Sequence, residues 1–116
     1  MSTTTTTAAL KSPYPYFGGK SSVAPLVWER FGDVRNYVEP FMGSLAMLLS
    51  RPTPFVGTET VNDADGFVSN FWRAIRADPE AVAHHADWPV NENDLHARHA
   101  WLVGERDDVT RRLEGD

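Results

Sequence analysis

Three short clusters carry residue types able to bind a nucleotide-like ligand. The first is Tyr16-Phe17-Gly18-Gly19-Lys20. Paired glycines let a backbone approach a ligand closely, and the lysine that follows supplies a fixed positive charge. The second is Val38-Glu39-Pro40-Phe41-Met42-Gly43-Ser44, which reads as a strand, a sharp turn and a helix start. Such a turn puts free backbone N–H groups and the positive end of a helix at the strand's end. The third is Val61-Asn62-Asp63, a carboxylate about twenty residues after the Gly43 turn. At that spacing an acid at the end of the next strand can accept hydrogen bonds from ribose hydroxyls.

The elements that must position these clusters follow from punctuation and period. Pro13, Pro15 and Gly18-Gly19 mark an extended segment and a tight turn. Val23, Leu26, Val27 and Phe31 then recur at helical spacing, with Ser21 or Ser22 as N-cap, Pro25 in the first turn and Gly32 as the stop. Residues 36–39 predict a strand that ends at Pro40, and Ser44 caps a helix running to Leu49. Pro52 and Pro54 close that connection, and Phe55 to Val61 predicts a second strand. Asp65 caps the next helix, whose stripe Phe67, Val68, Phe71, Trp72 and Ile75 marks a core-facing side. Asp78-Pro79 opens a helix to about Ala86, and a further one spans Asn93 to about Val103. Trp72 and Trp101 are expected in the core, and Trp28 and Trp88 at a surface. Alternation of helix and strand predicts an α/β fold with parallel strands, and two strands are fewer than a stable sheet of this kind requires. The chain therefore reads as an opening without its continuation.

Composition narrows the classes. The chain has 116 residues, room for one small domain. Residues 1–12, with their Thr run, read as a disordered tail, leaving 13–116 for the fold. No apolar run is long enough to span a membrane, and the N-terminus lacks a secretory pattern. With no cysteine, disulfides and thiolate chemistry are excluded and a cytoplasmic location is the expectation. The net charge of −5 is the wrong sign for a surface that reads duplex DNA, so any DNA-facing surface lies mostly outside this segment.

Taken in order, FGGK, VEPFMGS and an Asn-Asp at the end of the following strand resemble the alpha-class, or D12-type, DNA adenine-N6 methyltransferases. The resemblance spans about residues 14–77, with a looser likeness to phage-encoded relatives beyond. It implies a Rossmann-like S-adenosylmethionine-dependent methyltransferase fold, here as the N-terminal portion of the sheet. It also implies S-adenosyl-L-methionine as cofactor and DNA as substrate. By resemblance Tyr16, Phe17, Gly18 and Lys20 line the cofactor pocket. Glu39, Phe41 and Gly43 hold the methionine and adenosine portions, and Asp63 takes the ribose. Two positions depart from the pattern: Tyr16 replaces a tryptophan, and Leu45 stands where the turn's second glycine falls. The family's Asp-Pro-Pro-Tyr tetrad, which grips the extruded base, is absent; the sole Asp-Pro, Asp78-Pro79, precedes Glu80. The expectation is a chain that carries the cofactor motifs and is catalytically silent alone. Its alternative is a non-catalytic truncated or split module that binds cofactor or a complementary chain.

Other chemistries fit less well. GGKSS invites a phosphate-loop reading, but Tyr14 stands where that motif needs its first glycine. An unrelated nucleotide-binding α/β protein is a third, weaker reading. His84, His85, His96 and His99 lack a metal-binding signature and read as surface histidines. Residues 105–116 mix both charges and read as a solvated helix face. Apolar surface left uncovered predicts self-association.

Overall fold

The structure is a computed structural model that describes residues 10–52 and 56–115. Most of the Thr-rich segment and Phe55 lie outside them. The chain divides into two compact units, Met1–Ala64 and Asp65–Asp116.

The first unit contains α1 (Ala24–Phe31), β1 (Asn36–Glu39), α2 (Ala46–Leu49) and β2 (Thr58–Val61). The two strands pair in parallel, from Asn36 opposite Thr58 to Glu39 opposite Val61. The parallel pair and the start and end of β1 agree with the sequence reading. β2 begins three residues later than expected, after Gly57. Strand alternation turns Tyr37 and Glu39 inward and leaves Val38 exposed.

Ala24, Trp28, Tyr37 and Met47 form the core, with Val27, Val34 and Leu48 against it. Trp28 is the correction of most consequence: expected at a surface, it is 3% exposed. Its indole N–H donates to the Met47 carbonyl at 2.6 Å, and its ring lies 4.8 Å from that of Tyr37. The Arg51 guanidinium sits 4.8 Å from the Trp28 ring and donates to the Val34 carbonyl at 2.5 Å. Of the residues that recur at helical spacing along this segment, Val23, Leu26 and Phe31 are exposed.

Both helix starts in this unit differ from expectation. Val23 and Leu45 occupy the N-cap positions of α1 and α2, and neither makes a side-chain cap. Residues 21–23 instead form a turn in which the Lys20 carbonyl accepts from the Val23 and Ala24 amides. Pro25 does stand in the first turn of α1, and Gly32 ends it at φ 65°.

The second unit is helical: α3 (Gly66–Ala77), α4 (Pro79–Ala86), α5 (Glu92–Gly104) and α6 (Arg106–Glu114). Capping explains the boundaries. Asp65 accepts from the Phe67 amide at 2.9 Å, Asp78 from Ala81 at 3.0 Å and Asn91 from Asp94 at 2.9 Å. The stripe of α3 is half-buried, as is Trp72. Trp101, expected in the core, is 60% exposed. Trp88 is partly exposed, between the His85 ring at 5.3 Å and the Arg98 guanidinium at 4.8 Å. On α6, Asp108 pairs with Arg111 and Arg112 at 3.5 and 2.9 Å.

Candidate functional site

The ends of β1 and β2 are tied together by backbone and side chain. The Asn62 amide donates to the Glu39 carbonyl, and the Met42 amide to the Asn62 carbonyl, each at 2.9 Å. These bonds carry the parallel ladder past Glu39 and bring the Pro40–Ser44 turn beside Asp63. The Gly43 amide then donates to Asp63 Oδ2 at 3.0 Å. The turn is gripped from its other side by the Tyr14 hydroxyl, which donates to the Gly43 carbonyl at 2.9 Å. Gly43 has φ 48° and Leu45 φ 56°, both left-handed.

Lys20 joins the glycine loop to this turn. Its ammonium donates to Glu39 Oε1 at 3.0 Å and to the Phe41 carbonyl at 2.7 Å. Glu39 is only 4% exposed, and its Oε2 accepts from the Tyr37 hydroxyl at 2.9 Å. Burial first, and then the carboxylate of Glu39, push the Tyr37 phenol well above its ordinary value. It therefore stays protonated and remains a donor.

These contacts enclose a cavity of about 250 Å³. Its walls are the Tyr16 ring and the glycine loop on one side, and Phe41, Met42 and Gly43 on the other. Lys20 and Asp63 supply its opposite charges. A second groove of about 520 Å³ adjoins it, sharing Tyr16, Gly19, Ser44 and Ala46 and bounded by the segment from Leu10 to Pro15.

A profile of the D12 class N6 adenine-specific DNA methyltransferases matches residues 16–102. The chain belongs to this family. No curated protein and no solved structure gives a significant match. The matched span begins at the aromatic wall of the cavity and contains every residue the sequence singled out for cofactor binding. Membership implies a methyltransferase fold and DNA adenine as the family's substrate. It also sets aside the unrelated nucleotide-binding reading.

Six of the eight expected residues line the cavity: Tyr16, Gly18, Lys20, Phe41, Gly43 and Asp63. Phe17 and Glu39 do not. The Phe17 side chain is fully exposed, whereas Glu39 sits on the core side of Lys20 and reaches the cavity only through it. Tyr14 and Tyr37 were missed. Tyr14 precedes the glycine loop and carries no motif signal, but Tyr37 had one: two residues before Glu39 in a strand, it shares the inner face. The glycine loop is not a phosphate loop, because Tyr14 stands where that motif needs its first glycine.

Asp78-Pro79, the one Asp-Pro pair, is a helix start. Asp78 caps α4 and Pro79 occupies its first turn. Among the described residues no three His, Asp or Glu side chains converge as a metal site. His96 lies 3.6 Å from Glu92 along α5. No described helix is long and apolar enough to cross a membrane.

Proposed function

We propose that this chain is the cofactor-holding part of an S-adenosylmethionine-dependent DNA adenine-N6 methyltransferase, the N-terminal portion of its Rossmann-like sheet. The observation that carries this reading is the convergence of three sequence-separated motifs on one cavity at the carboxyl ends of two parallel strands. Ligands of open α/β sheets bind at that edge.

The lining suits the cofactor. The smaller cavity alone falls below the usual range for a ligand site, about 300–1,000 Å³, and the adjoining groove extends it. Tyr16 and Phe41 offer apolar faces, Lys20 a donor for an acceptor group, and Asp63 an acceptor for ribose hydroxyls. At Gly18, φ is 72° and open space surrounds the missing Cβ, so a ligand can approach the backbone there. When bound, S-adenosylmethionine supplies an electrophilic methyl group for the adenine amino nitrogen. The chain's own residues bind and orient it, and the two glycine turns keep side chains out of its path.

Transfer also needs a base extruded from the duplex and gripped in line with the methyl group. The 116 residues hold no Asp-Pro-Pro-Tyr tetrad for this, and a net charge of −5 opposes phosphate binding. In this reading residues 13–116 bind cofactor, in the cytoplasm of a bacterial or phage-infected cell. Base recognition and catalysis belong to residues outside them. The chain alone holds cofactor without transferring its methyl group.

Titration of the full chain with S-adenosylhomocysteine tests this reading. The expected result is binding that falls more than about tenfold, or ~1.4 kcal/mol, in Asp63→Ala. Asp63→Asn, which keeps an oxygen for the Gly43 amide, should retain more of it. ATP or NAD bound in its place would sink the reading. Robust methylation of adenine-containing DNA by the chain alone would overturn its silence.

A further inference from the structure

Tyr37 belongs to none of the motifs behind the cofactor reading, yet its hydroxyl is built into the site. Three bonds run outward from the core: Tyr37 hydroxyl to Glu39 Oε2 at 2.9 Å, Lys20 ammonium to Glu39 Oε1 at 3.0 Å, and Lys20 ammonium to the Phe41 carbonyl at 2.7 Å. The first two links are buried at Tyr37 and Glu39, whereas the Lys20 side chain is 37% exposed and lines the cavity.

Each link restricts the next. A glutamate carboxylate turns freely about its last torsion, which is broad and two-fold. With Oε2 held by Tyr37, Oε1 faces Lys20. A lysine stem has many rotamers and its ammonium three donors. Two acceptors hold that ammonium against the turn. Its third donor has no partner among the described residues, at a wall of the cavity.

We propose that Tyr37 is a positioning residue. Acting through Glu39, it holds the Lys20 ammonium at the cavity wall, where the remaining donor meets an acceptor atom of the bound cofactor. The identity of that ligand rests on the function proposed above; the immobilisation of Lys20 does not. Tyr37 also packs against Trp28, with ring centroids 4.8 Å apart, so the informative variant is Tyr37→Phe, which keeps the ring and removes the hydroxyl.

Two measurements on the full chain separate the roles. The only lysines are Lys11 and Lys20, so NMR of 15N-labelled ammonium groups resolves them without ligand. A held Lys20 ammonium should give a protected signal in the wild type that disappears in Tyr37→Phe and in Glu39→Gln. Its persistence in Tyr37→Phe overturns the proposal. In titrations with S-adenosylhomocysteine, Tyr37→Phe should bind about three- to tenfold more weakly, the effect of one lost hydrogen bond. Lys20→Met should lose more, and adding Tyr37→Phe to Lys20→Met should change nothing further, because residues acting through one another are not additive. An equal loss in both backgrounds makes Tyr37 a packing residue and overturns its positioning role. Wild-type chain that binds no S-adenosylhomocysteine counts against the cofactor reading, and the ammonium signal then decides the proposal by itself.

Discussion

A methyl group added at Gly43 would stand 2.6 Å from Tyr16 Cε1 and 2.7 Å from Cδ1, at a residue whose φ is 48°. Two costs follow, and they fall on different properties. The left-handed backbone costs an alanine about 1–2 kcal/mol. The clash is relieved more cheaply, because the Tyr16 ring is partly exposed and can swing away. That ring is a wall of the cavity, so moving it spoils the shape of the site. Gly43→Ala should therefore lower stability by about 1–2 kcal/mol in thermal or denaturant unfolding. S-adenosylhomocysteine binding should fall more than about tenfold, beyond what 1.4 kcal/mol explains. Unchanged affinity would mean that Tyr16 does not shape the binding site. At this scale the six residues that line the cavity are ones the family resemblance pointed to. The facing of Glu39 was not, because it depends on which side of β1 the core occupies. Nor was the outward position of Phe17, set by the turn that Gly18 makes at φ 72°.

α2 starts with an unusual residue, and its energetics can be decided by magnitude. Leu45 adopts φ 56° and ψ 28°, where glycine is at ease, and resemblance puts a glycine at that position. Its side chain, however, is 5% exposed. Removing a buried leucine side chain costs about 2–5 kcal/mol, against about 1–2 kcal/mol of relieved backbone strain. Packing wins. Leu45→Gly should destabilise the chain by about 1–3 kcal/mol net, lowering the melting temperature by several degrees; a raised melting temperature would show that strain outweighs burial. The same competition explains which elements were legible. β1, α3 and α4 were readable because Pro40, Asp65 and Asp78 act through local geometry and capping. The inward face of α1 was not. Spacing marks Val23, Leu26, Val27 and Phe31 as one helical set, but the core takes Ala24 and Trp28, whose indole N–H reaches the Met47 carbonyl, with only Val27 of that set packed against it. Trp101 failed in the opposite sense, since α5 has no buried residue to pack it against.

Among the described residues many large apolar side chains are exposed. In the first unit Phe17, Phe41 and Val38 are mostly exposed, the last on the outer face of a parallel sheet, which is normally covered on both sides. In the second, Leu95, Trp101 and Val103 are mostly exposed along one helix, and no helical residue is fully buried. Isolated apolar side chains at a surface are ordinary, but large aromatic and branched residues in this number favour association. The net charge of −5 opposes it through repulsion that salt screens within about 10 Å at 0.1 M. The two terms therefore respond to salt in opposite directions. Sedimentation velocity should show an average sedimentation coefficient that rises with protein concentration and rises further when salt is added. Association dissolved by salt would instead point to charge pairing between copies. A monomer throughout would mean that these faces need no cover.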